Sequence, residues 1–143
     1  MTVAAPVNKW LIAVTVMLAT TIEVVDAFVV NVSLDHIRGS LSAGVDEVTW
    51  VLTSYMVANA IILPLSGWLA DRFGQKRLFL ASTAIFTLAS VMVGAAPTLG
   101  ILIFARILQG LGGGSLLPLS QAVMMQTFPR SQVGIAMAIW GVG

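Results

Sequence analysis

The chain has 143 residues, of which 58% are hydrophobic and only 9% are charged, and its formal net charge is +1. Because a soluble domain carries roughly 25% charged residues, this composition cannot cover a water-facing surface, and lipid must be the solvent. The small net charge gives no basis for a nucleic-acid partner. The absence of cysteine excludes disulfides, thiolate metal sites and cysteine nucleophiles, and the single histidine, His36, argues against a histidine-rich metal site.

The first apolar stretch covers residues 10–34 and follows Lys9. A basic residue before an apolar run is also typical of a secretory signal peptide. This run is too long for one, and no small-x-small cleavage site follows a short apolar core. We therefore interpret it as an uncleaved first membrane span.

Three further apolar stretches cover residues 48–70, 77–96 and 99–125. Each of these four stretches has about 20 or more residues, enough to cross a hydrocarbon core of about 30 Å. Backbone groups in lipid must be hydrogen-bonded within their own segment, so the spans are predicted to be helices. Their short links predict antiparallel neighbours, and the links are residues 35–47, 71–76, 97–98 and 126–130.

A fifth apolar stretch begins near Ser131 and runs to residue 143. As a helix it rises only about 18 Å, which is too short to cross a bilayer. We therefore expect the chain to be the N-terminal part of a longer protein, with four spans and part of a fifth.

Positive charges predict the orientation. With the N-terminus in the cytoplasm, the inner side carries five basic residues and the outer side one, as the positive-inside rule requires. The inner residues are Lys9, Arg72, Lys76, Arg77 and Arg130, and the outer one is Arg38. The sequence thus predicts a multi-pass protein of the cytoplasmic (inner) membrane with a cytoplasmic N-terminus.

Three charged residues, Glu23, Asp26 and Arg106, lie inside apolar spans. A charge at the centre of a membrane helix costs about 2.5–3.5 kcal/mol on insertion scales, so each needs a reason. A structural ion pair between helices, or snorkelling towards an interface, is one reason. A role in handling substrate or protons is the reason that we favour.

The depths of these charges agree with a shared site. Asp26 precedes the end of the first span by about as many residues as Arg106 follows the start of the fourth, so both lie about 10–12 Å below the outer boundary. Glu23 lies one turn deeper, on the face of Asp26. We expect two carboxylates and one arginine to line a cavity in the outer half of the bundle. Arginine stays protonated, so it can tune a proton-carrying carboxylate but cannot carry the proton itself.

Small and polar residues mark the second and fourth spans. Gly110 and Gly114 form a GxxxG pair, which allows two membrane helices to approach closely. Pro64 and Pro118 are predicted to kink these two spans. Tyr55 and Asn59, one turn apart, are candidates for the substrate cavity, although hydrogen bonding in the core explains them equally well.

The turn of residues 67–77, which we call the charged turn, reads GWLADRFGQKR. Asp71 lies at the C-terminal end of the second span, where an anion opposes the helix dipole. It therefore needs a compensating partner, either Arg72, Lys76 or Arg77 or the N-terminus of a helix outside the given sequence. Gly74 suits a turn that requires positive φ. A solvated loop that only sets the topology is the alternative.

The charged turn resembles the signature loop of the major facilitator superfamily, G-x-L-A-D-R-x-G-R-K. The matching residues are Gly67, Leu69, Ala70, Asp71, Arg72, Gly74 and Lys76, while Gln75 replaces the usual Arg. In that family the loop gates the inner side through contacts with the other half of the transporter. The resemblance implies this role for Asp71 first, then for Gly67 and Arg72.

Two further motifs resemble those of the fourteen-helix drug:proton antiporters in that superfamily. The fourth span is similar to L-x-x-x-R-x-x-Q-G-x-G through Leu102, Arg106, Gln109, Gly110 and Gly112. The first span is similar to L-D-x-T-x-x-N-V-A-x-P through Asp26, Asn31 and Val32, with Phe28, Ser33 and Asp35 as departures. Gly134 and Gly143 have the spacing that opens a further antiporter motif. The resemblance implies that Arg106 takes part in proton coupling.

The resemblance implies an all-α helical bundle whose helices 1–4 and part of helix 5 are present here, within the first six-helix half. It implies a proton-driven exporter of lipophilic or cationic small molecules, with no cofactor, and a periplasmic adaptor protein as a further partner. Asn31, Tyr55, Asn59 and Gln109 are then candidates for the substrate cavity, and Gly110, Gly112 and Gly114 for helix packing. A transporter of a specific metabolite and a non-transporting membrane scaffold are the alternatives. The sequence shows no nucleophile–base pair of the kind that would indicate an enzyme.

Overall fold

The computed structural model describes residues 8–142, and over this range the chain is helical with no strand. The helices are α1 (Lys9–Ser40), α2 (Val45–Phe73), α3 (Gln75–Gly94), α4 (Leu99–Gly113), α5 (Leu116–Thr127) and α6 (Arg130–Val142). The all-α fold predicted from the hydropathy pattern is confirmed. Gly143, the second glycine of the pattern that begins at Gly134, lies outside the described residues.

Four helical stretches of residues 8–142 are long and apolar enough to cross a bilayer, and they correspond to the four predicted spans. The helices α1, α2 and α3 are one span each, and α4 with α5 forms the fourth, Leu99–Thr127. The shortest span has 20 residues, which is about 30 Å of helix. Large apolar side chains are exposed along the outer faces of these helices, as a lipid solvent requires.

The first predicted link, residues 35–47, is much shorter in the structure. The helix α1 continues to Ser40, and α2 begins at Val45. The side chain of Glu47 accepts a hydrogen bond from the backbone N–H of Gly44 at 2.8 Å, which satisfies a donor that the start of α2 would otherwise leave free. Polar residues in this stretch therefore extend the helices beyond the apolar spans.

The second predicted link, residues 71–76, shrinks to Gly74 alone. Asp71 and Arg72 belong to the last turn of α2, and Lys76 belongs to the first turn of α3. Gly74 has φ 87°, a conformation that glycine adopts without steric cost. The reversal between the two spans is therefore concentrated in one residue.

The predicted fourth span, residues 99–125, is not one continuous helix. It is broken at Gly114 and Ser115, because Pro118 has no N–H to donate to the carbonyl of Gly114. Pro118 is instead the third residue of α5, where a helix has no internal use for that N–H. Pro64, by contrast, lies inside α2 without ending it.

The helix α4 lies between α2 and α3, and its glycines allow this. A Cβ on Gly110 would lie 2.5 Å from the backbone oxygen of Tyr55 on α2. A Cβ on Gly112 would lie 2.7 Å from the backbone nitrogen of Phe86 on α3. Gly114 likewise lies against α2, since its Cβ would be 2.9 Å from the backbone oxygen of Asn59. The fourth span is thus the buried centre of the described bundle.

The start of α1 is held to the first turn of α6 and to the connection that precedes it. Lys9 donates a hydrogen bond to the side-chain oxygen of Gln132 at 2.6 Å. The ring of Trp10 meets the ring of Phe128 edge-on, with centroids 5.2 Å apart. On α6, the indole N–H of Trp140 donates to the hydroxyl of Ser120 at 3.1 Å, which holds α6 against α5.

A groove of about 510 Å³ between α1, α3 and α5 contains Leu11, Lys76 and Thr127. The starts of α1 and α3 and the end of α5 therefore share one end of the bundle. The five basic residues of the predicted inner side belong to this end, and the connection 41–44 to the opposite end. The charge asymmetry expected from the sequence is thus retained in three dimensions.

Candidate functional site

Asp26 on α1 and Arg106 on α4 form an ion pair inside the bundle, with 3.2 Å between Arg106 Nη1 and Asp26 Oδ2. The side chain of Arg106 is 1% exposed and that of Asp26 is 19% exposed. The helix α1 packs mainly on α5 and has few contacts with α4. The long side chain of Arg106 therefore spans the distance from α4 to Asp26 on α1. A charge pair this far from water is stable only if its other polar atoms are also bonded.

Gln109 and Ser90 supply those bonds, and we call Asp26, Ser90, Arg106 and Gln109 the polar cluster. The amide oxygen of Gln109 accepts from Arg106 Nη1 at 2.7 Å. Its amide nitrogen donates to Asp26 Oδ2 at 2.7 Å and to the hydroxyl of Ser90 at 2.7 Å. Ser90 donates in turn to the backbone oxygen of Phe86 at 2.9 Å. Three helices therefore meet at one amide group.

Arg106 is also held by α2. Its Nε donates to the backbone oxygen of Val51 at 3.2 Å. Its guanidinium carbon lies 4.2 Å from the centroid of the Tyr55 ring, a cation–π distance. The guanidinium is thus fixed by a carboxylate, an amide, a carbonyl and an aromatic face.

Glu23 lies beside the polar cluster and is 4% exposed. The hydroxyl of Tyr55 lies beside its carboxyl group, and that hydroxyl accepts from the amide of Asn59 at 3.4 Å. One oxygen of the Glu23 carboxyl group, Oε2, is buried, and no group of residues 8–142 hydrogen-bonds to it. Tyr55 therefore connects Glu23, through its hydroxyl, to Arg106, through its ring.

The structure brings together most of the residues predicted for the outer half of the bundle. The side chains are packed against each other, since Arg106 is 1% exposed and Gln109 is fully buried. Neither the groove described above nor a second groove of about 520 Å³ between α2 and α4 includes a residue of the polar cluster. Within residues 8–142 no group of three or more histidine, aspartate or glutamate side chains could hold a metal ion.

Asn31 does not join the other candidates. It is exposed, and its amide donates to the backbone oxygen of Ala27 in its own helix at 2.7 Å. Five residues along a helix turn the side chain about 140° away from Asp26. Asn31 therefore lies on a different face of α1 from Asp26.

Sequence reasoning missed Ser90. A serine in an apolar helix normally bonds its own backbone, and Ser90 does so as well. The available signal was its neighbourhood, because Phe86 and Ala89 on the same face of α3 are buried. Only the position of α4 against α3 reveals that this hydroxyl also binds Gln109.

The charged turn has a different character. Asp71, Arg72 and Lys76 are exposed, and the pair of Asp26 and Arg106 is the only ion pair among residues 8–142. The expected partners of Asp71 within the turn are therefore not used. Neighbouring residues in a helix point about 100° apart, so Arg72 turns away from Asp71. A Cβ on Gly67, one turn before Asp71, would have nothing within 4 Å.

A central helix with a paired arginine, surrounded by membrane-length apolar helices, defines a multi-pass membrane protein. A family model described as the Major Facilitator Superfamily matches residues 16–143. The chain belongs to this superfamily of membrane transporters, as the sequence motifs predicted.

Several curated proteins are similar to the chain. It is 42% identical over 132 residues to the multidrug export protein EmrB of Escherichia coli, which covers 92% of the chain and 26% of that protein. It is 44% identical over 125 residues to the fatty acid resistance protein FarB of Neisseria gonorrhoeae, covering 87% of the chain and 25% of that protein. A multidrug resistance protein B homolog of Mycobacterium tuberculosis is 38% identical over 126 residues, 88% of the chain and 23% of that protein. The chain thus spans about a quarter of the length of these relatives.

Proposed function

We propose that these helices are the first part of the first six-helix half of a proton-coupled efflux transporter. The transporter would export lipophilic or cationic small molecules and would be driven by the proton gradient without a cofactor. Its substrate would bind between two halves that rock against each other. Membership of the superfamily and the similarity to proteins named for multidrug export support this proposal.

The buried ion pair of Asp26 and Arg106 is the observation that carries the proposal. Ionisable residues inside a membrane bundle are expensive and mark ion or proton pathways. Here the pair lies on two helices, and a third helix contributes Ser90. A change in the proton or substrate content of this site would change the contacts among three helices at once, which is what coupling to a conformational change requires.

The proposed substrate class rests on the relatives' names. One relative is named for fatty acid resistance and another for multidrug export, and fatty acids are lipophilic compounds. A periplasmic adaptor protein would be a further partner. Tyr55, Asn59 and Gln109 are the residues that we assign to substrate contact when the bundle opens, and Asn31 is assigned to such contact on the exposed face of α1.

Asp71 is the residue that we assign to the inner gate, with Gly67, Arg72, Gly74 and Lys76 around it. Its carboxylate is exposed at a helix end that repels anions, and it has no ion pair within residues 8–142. A latch between the two halves would need such a group, free on its own half and bound on the other. Its loss would leave the inner side open.

The gate assignment requires that the end of the bundle carrying Lys76 faces the cytoplasm. The chain contains no cysteine, which permits a direct test with single cysteines. Ser131→Cys places a cysteine at the end of the bundle that carries Lys9, and Ser40→Cys places one at the opposite end. Both serines are exposed. An impermeant maleimide added to intact spheroplasts should label the variant at position 40 and spare the one at position 131. The reverse pattern would refute the orientation.

Transport itself is tested with the full-length protein in proteoliposomes. An imposed proton gradient should drive movement of a fluorescent lipophilic cation, and substrate should release protons. Arg106→Ala should abolish both, whereas Arg130→Ala, at an exposed arginine, should retain both. Substrate movement that is independent of the proton gradient would favour a different transporter, and no movement of any compound tested would favour a scaffold.

A further inference from the structure

The two membrane-buried carboxyl groups on α1 have opposite surroundings. Asp26 accepts hydrogen bonds from Arg106 at 3.2 Å and from Gln109 at 2.7 Å. Among residues 8–142 Glu23 has no cation within ion-pair distance, and its Oε2 is buried with no partner there. One carboxylate is therefore neutralised by its neighbours, and the other is not.

An unpaired carboxylate in this position is strongly disfavoured. Burial of an isolated charge costs far more than burial of a neutral polar group, and the energy of an unpaired buried charge is not recovered by one hydrogen bond. The exposed fraction of Glu23 is only 4%, so water does not solvate it. A bound proton removes the charge and leaves only a neutral oxygen without a partner.

The groups around Glu23 do not supply a compensating cation. On its own helix the nearest charged group is Asp26, which is anionic and repels a second negative charge. On α2 the facing group is the hydroxyl of Tyr55. On α4 the residue that faces Glu23 is Gly113. A Cβ at this position would lie 3.2 Å from Glu23 Oε1 and 3.2 Å from the ring of Phe86 on α3. Arg106 lies over the ring of Tyr55, and its ion pair is with Asp26.

We propose that Glu23, rather than Asp26, holds the exchangeable proton of the transport cycle, and that Tyr55 is the positioning residue that links it to the polar cluster. This inference rests on the proposed function and divides the roles of the two carboxyl groups. Asp26 fixes Arg106, and Glu23 gains and loses the proton. The glycine at position 113 provides the space that the carboxyl occupies.

The proposal specifies the charge of the substrate. With Glu23 protonated, Glu23, Asp26 and Arg106 together are neutral, because Asp26 and Arg106 cancel. When the O–H bond of Glu23 breaks and the proton passes to water, the same group carries one negative charge. Tyr55 then donates its hydroxyl proton in a hydrogen bond to the carboxylate. The deprotonated site is therefore complementary to a substrate with one positive charge, and one proton exchanges for one such cation.

Infrared difference spectroscopy on the full-length protein in lipid nanodiscs tests the assignment directly. A protonated carboxyl group has a carbonyl stretching band that an ionised carboxylate lacks. At neutral pH this band should be present in the wild-type protein, absent in Glu23→Gln and retained in Asp26→Asn. Loss of the band in Asp26→Asn together with its persistence in Glu23→Gln would overturn the proposal, as would its absence from the wild-type protein.

Tyr55→Phe provides a second test that does not depend on the folding of Glu23→Gln. It retains the ring that contacts Arg106 and removes only the hydroxyl, so the carboxyl band should remain but shift in frequency. Asn59→Ala, which removes a partner of the same hydroxyl but not of the carboxyl, should give a smaller shift. An unshifted band in Tyr55→Phe would overturn the link through Tyr55.

Transport measurements separate this proposal from the proposed function. Glu23→Gln should lose proton release on addition of a monovalent cation by at least tenfold, and exchange of that labelled cation should fall as well, because the neutral amide cannot supply the negative charge. Equal proton release from wild type and Glu23→Gln would overturn the proposal and leave efflux intact. If the wild-type protein moves no substrate, the proposed function fails, and the infrared band still decides which carboxyl is protonated.

Discussion

The polar cluster and the charged turn both contain an acid and at least one arginine, but they satisfy these charges in opposite ways. In the polar cluster Arg106 is buried, Asp26 is partly buried, and the two are bonded to each other. In the charged turn Asp71 and Arg72 are exposed and unpaired within residues 8–142. The difference teaches that the interior site is complete within four spans, whereas the turn is a surface whose partner is solvent or another element.

The largest effect that tests this comparison is expected from Arg106→Ala. It leaves the partly buried Asp26 without its cation, and breaking a buried pair costs up to about 3–5 kcal/mol. The free energy of unfolding of the full-length protein in detergent should fall by this amount. Arg130→Ala, at an exposed arginine, should change it little. Equal loss in the two variants would mean that the buried pair does not stabilise the bundle.

A smaller loss of stability is expected from Gly110→Ala. The added Cβ would lie 2.5 Å from the backbone oxygen of Tyr55, and overpacking of this kind costs about 1–3 kcal/mol. Because it moves α4 away from α2, it should also lower proton-coupled transport. Gly100→Ala is the matched control, since a Cβ at Gly100 in the same helix has nothing within 4 Å. Thermal unfolding should separate the two variants.

Ser90→Ala should have a still smaller effect. It removes one of the two groups bonded to the amide nitrogen of Gln109, and a single hydrogen bond contributes about 1 kcal/mol. Thr87→Ala on the same helix is the control, because the Thr87 hydroxyl is exposed and bonds only its own helix. If both substitutions destabilise the protein equally, Ser90 is not part of the polar cluster in solution.

The smallest change in stability is expected from Asp71→Asn in the charged turn. Substitutions at exposed sites without partners usually change the free energy of unfolding by about 0.5 kcal/mol or less. Transport should nevertheless fall severalfold, since the proposed inner latch needs the carboxylate. Measuring unfolding and transport on the same preparation separates the two effects. Unchanged transport would leave the charged turn with a topological role only.

The sequence predicted the spans and the meeting of Asp26 with Arg106 because both follow from one-dimensional distances. The number of residues from the membrane boundary sets the depth of a side chain, and lipid forces buried charges to find each other. The same reasoning predicted the pairing of Gly110 and Gly114 with a neighbouring helix, although it did not reveal that Gly112 serves a second neighbour on the other side.

The misses occurred where the answer depends on three-dimensional packing. The bond between Ser90 and Gln109 requires knowing which face of α3 meets α4. The separation of Asn31 from the polar cluster follows from helical rotation only once the inner face of α1 is fixed by Asp26, and its role in substrate contact stays a prediction. The charges of Asp71 and Lys76 predicted a loop, yet these residues lie in the end turns of α2 and α3. Polar side chains at a helix end reach water without ending the helix.

The reversal at Gly74 has a mechanical consequence. Consecutive Cα atoms are about 3.8 Å apart, so a joint of one residue leaves the chain no slack between α2 and α3. An axial displacement of α2 by one helical turn, about 5.4 Å, exceeds what such a joint absorbs and must draw α3 with it. The helix α4 packs between α2 and α3. A movement that begins at the charged turn therefore displaces both helices that flank Arg106 at the same time.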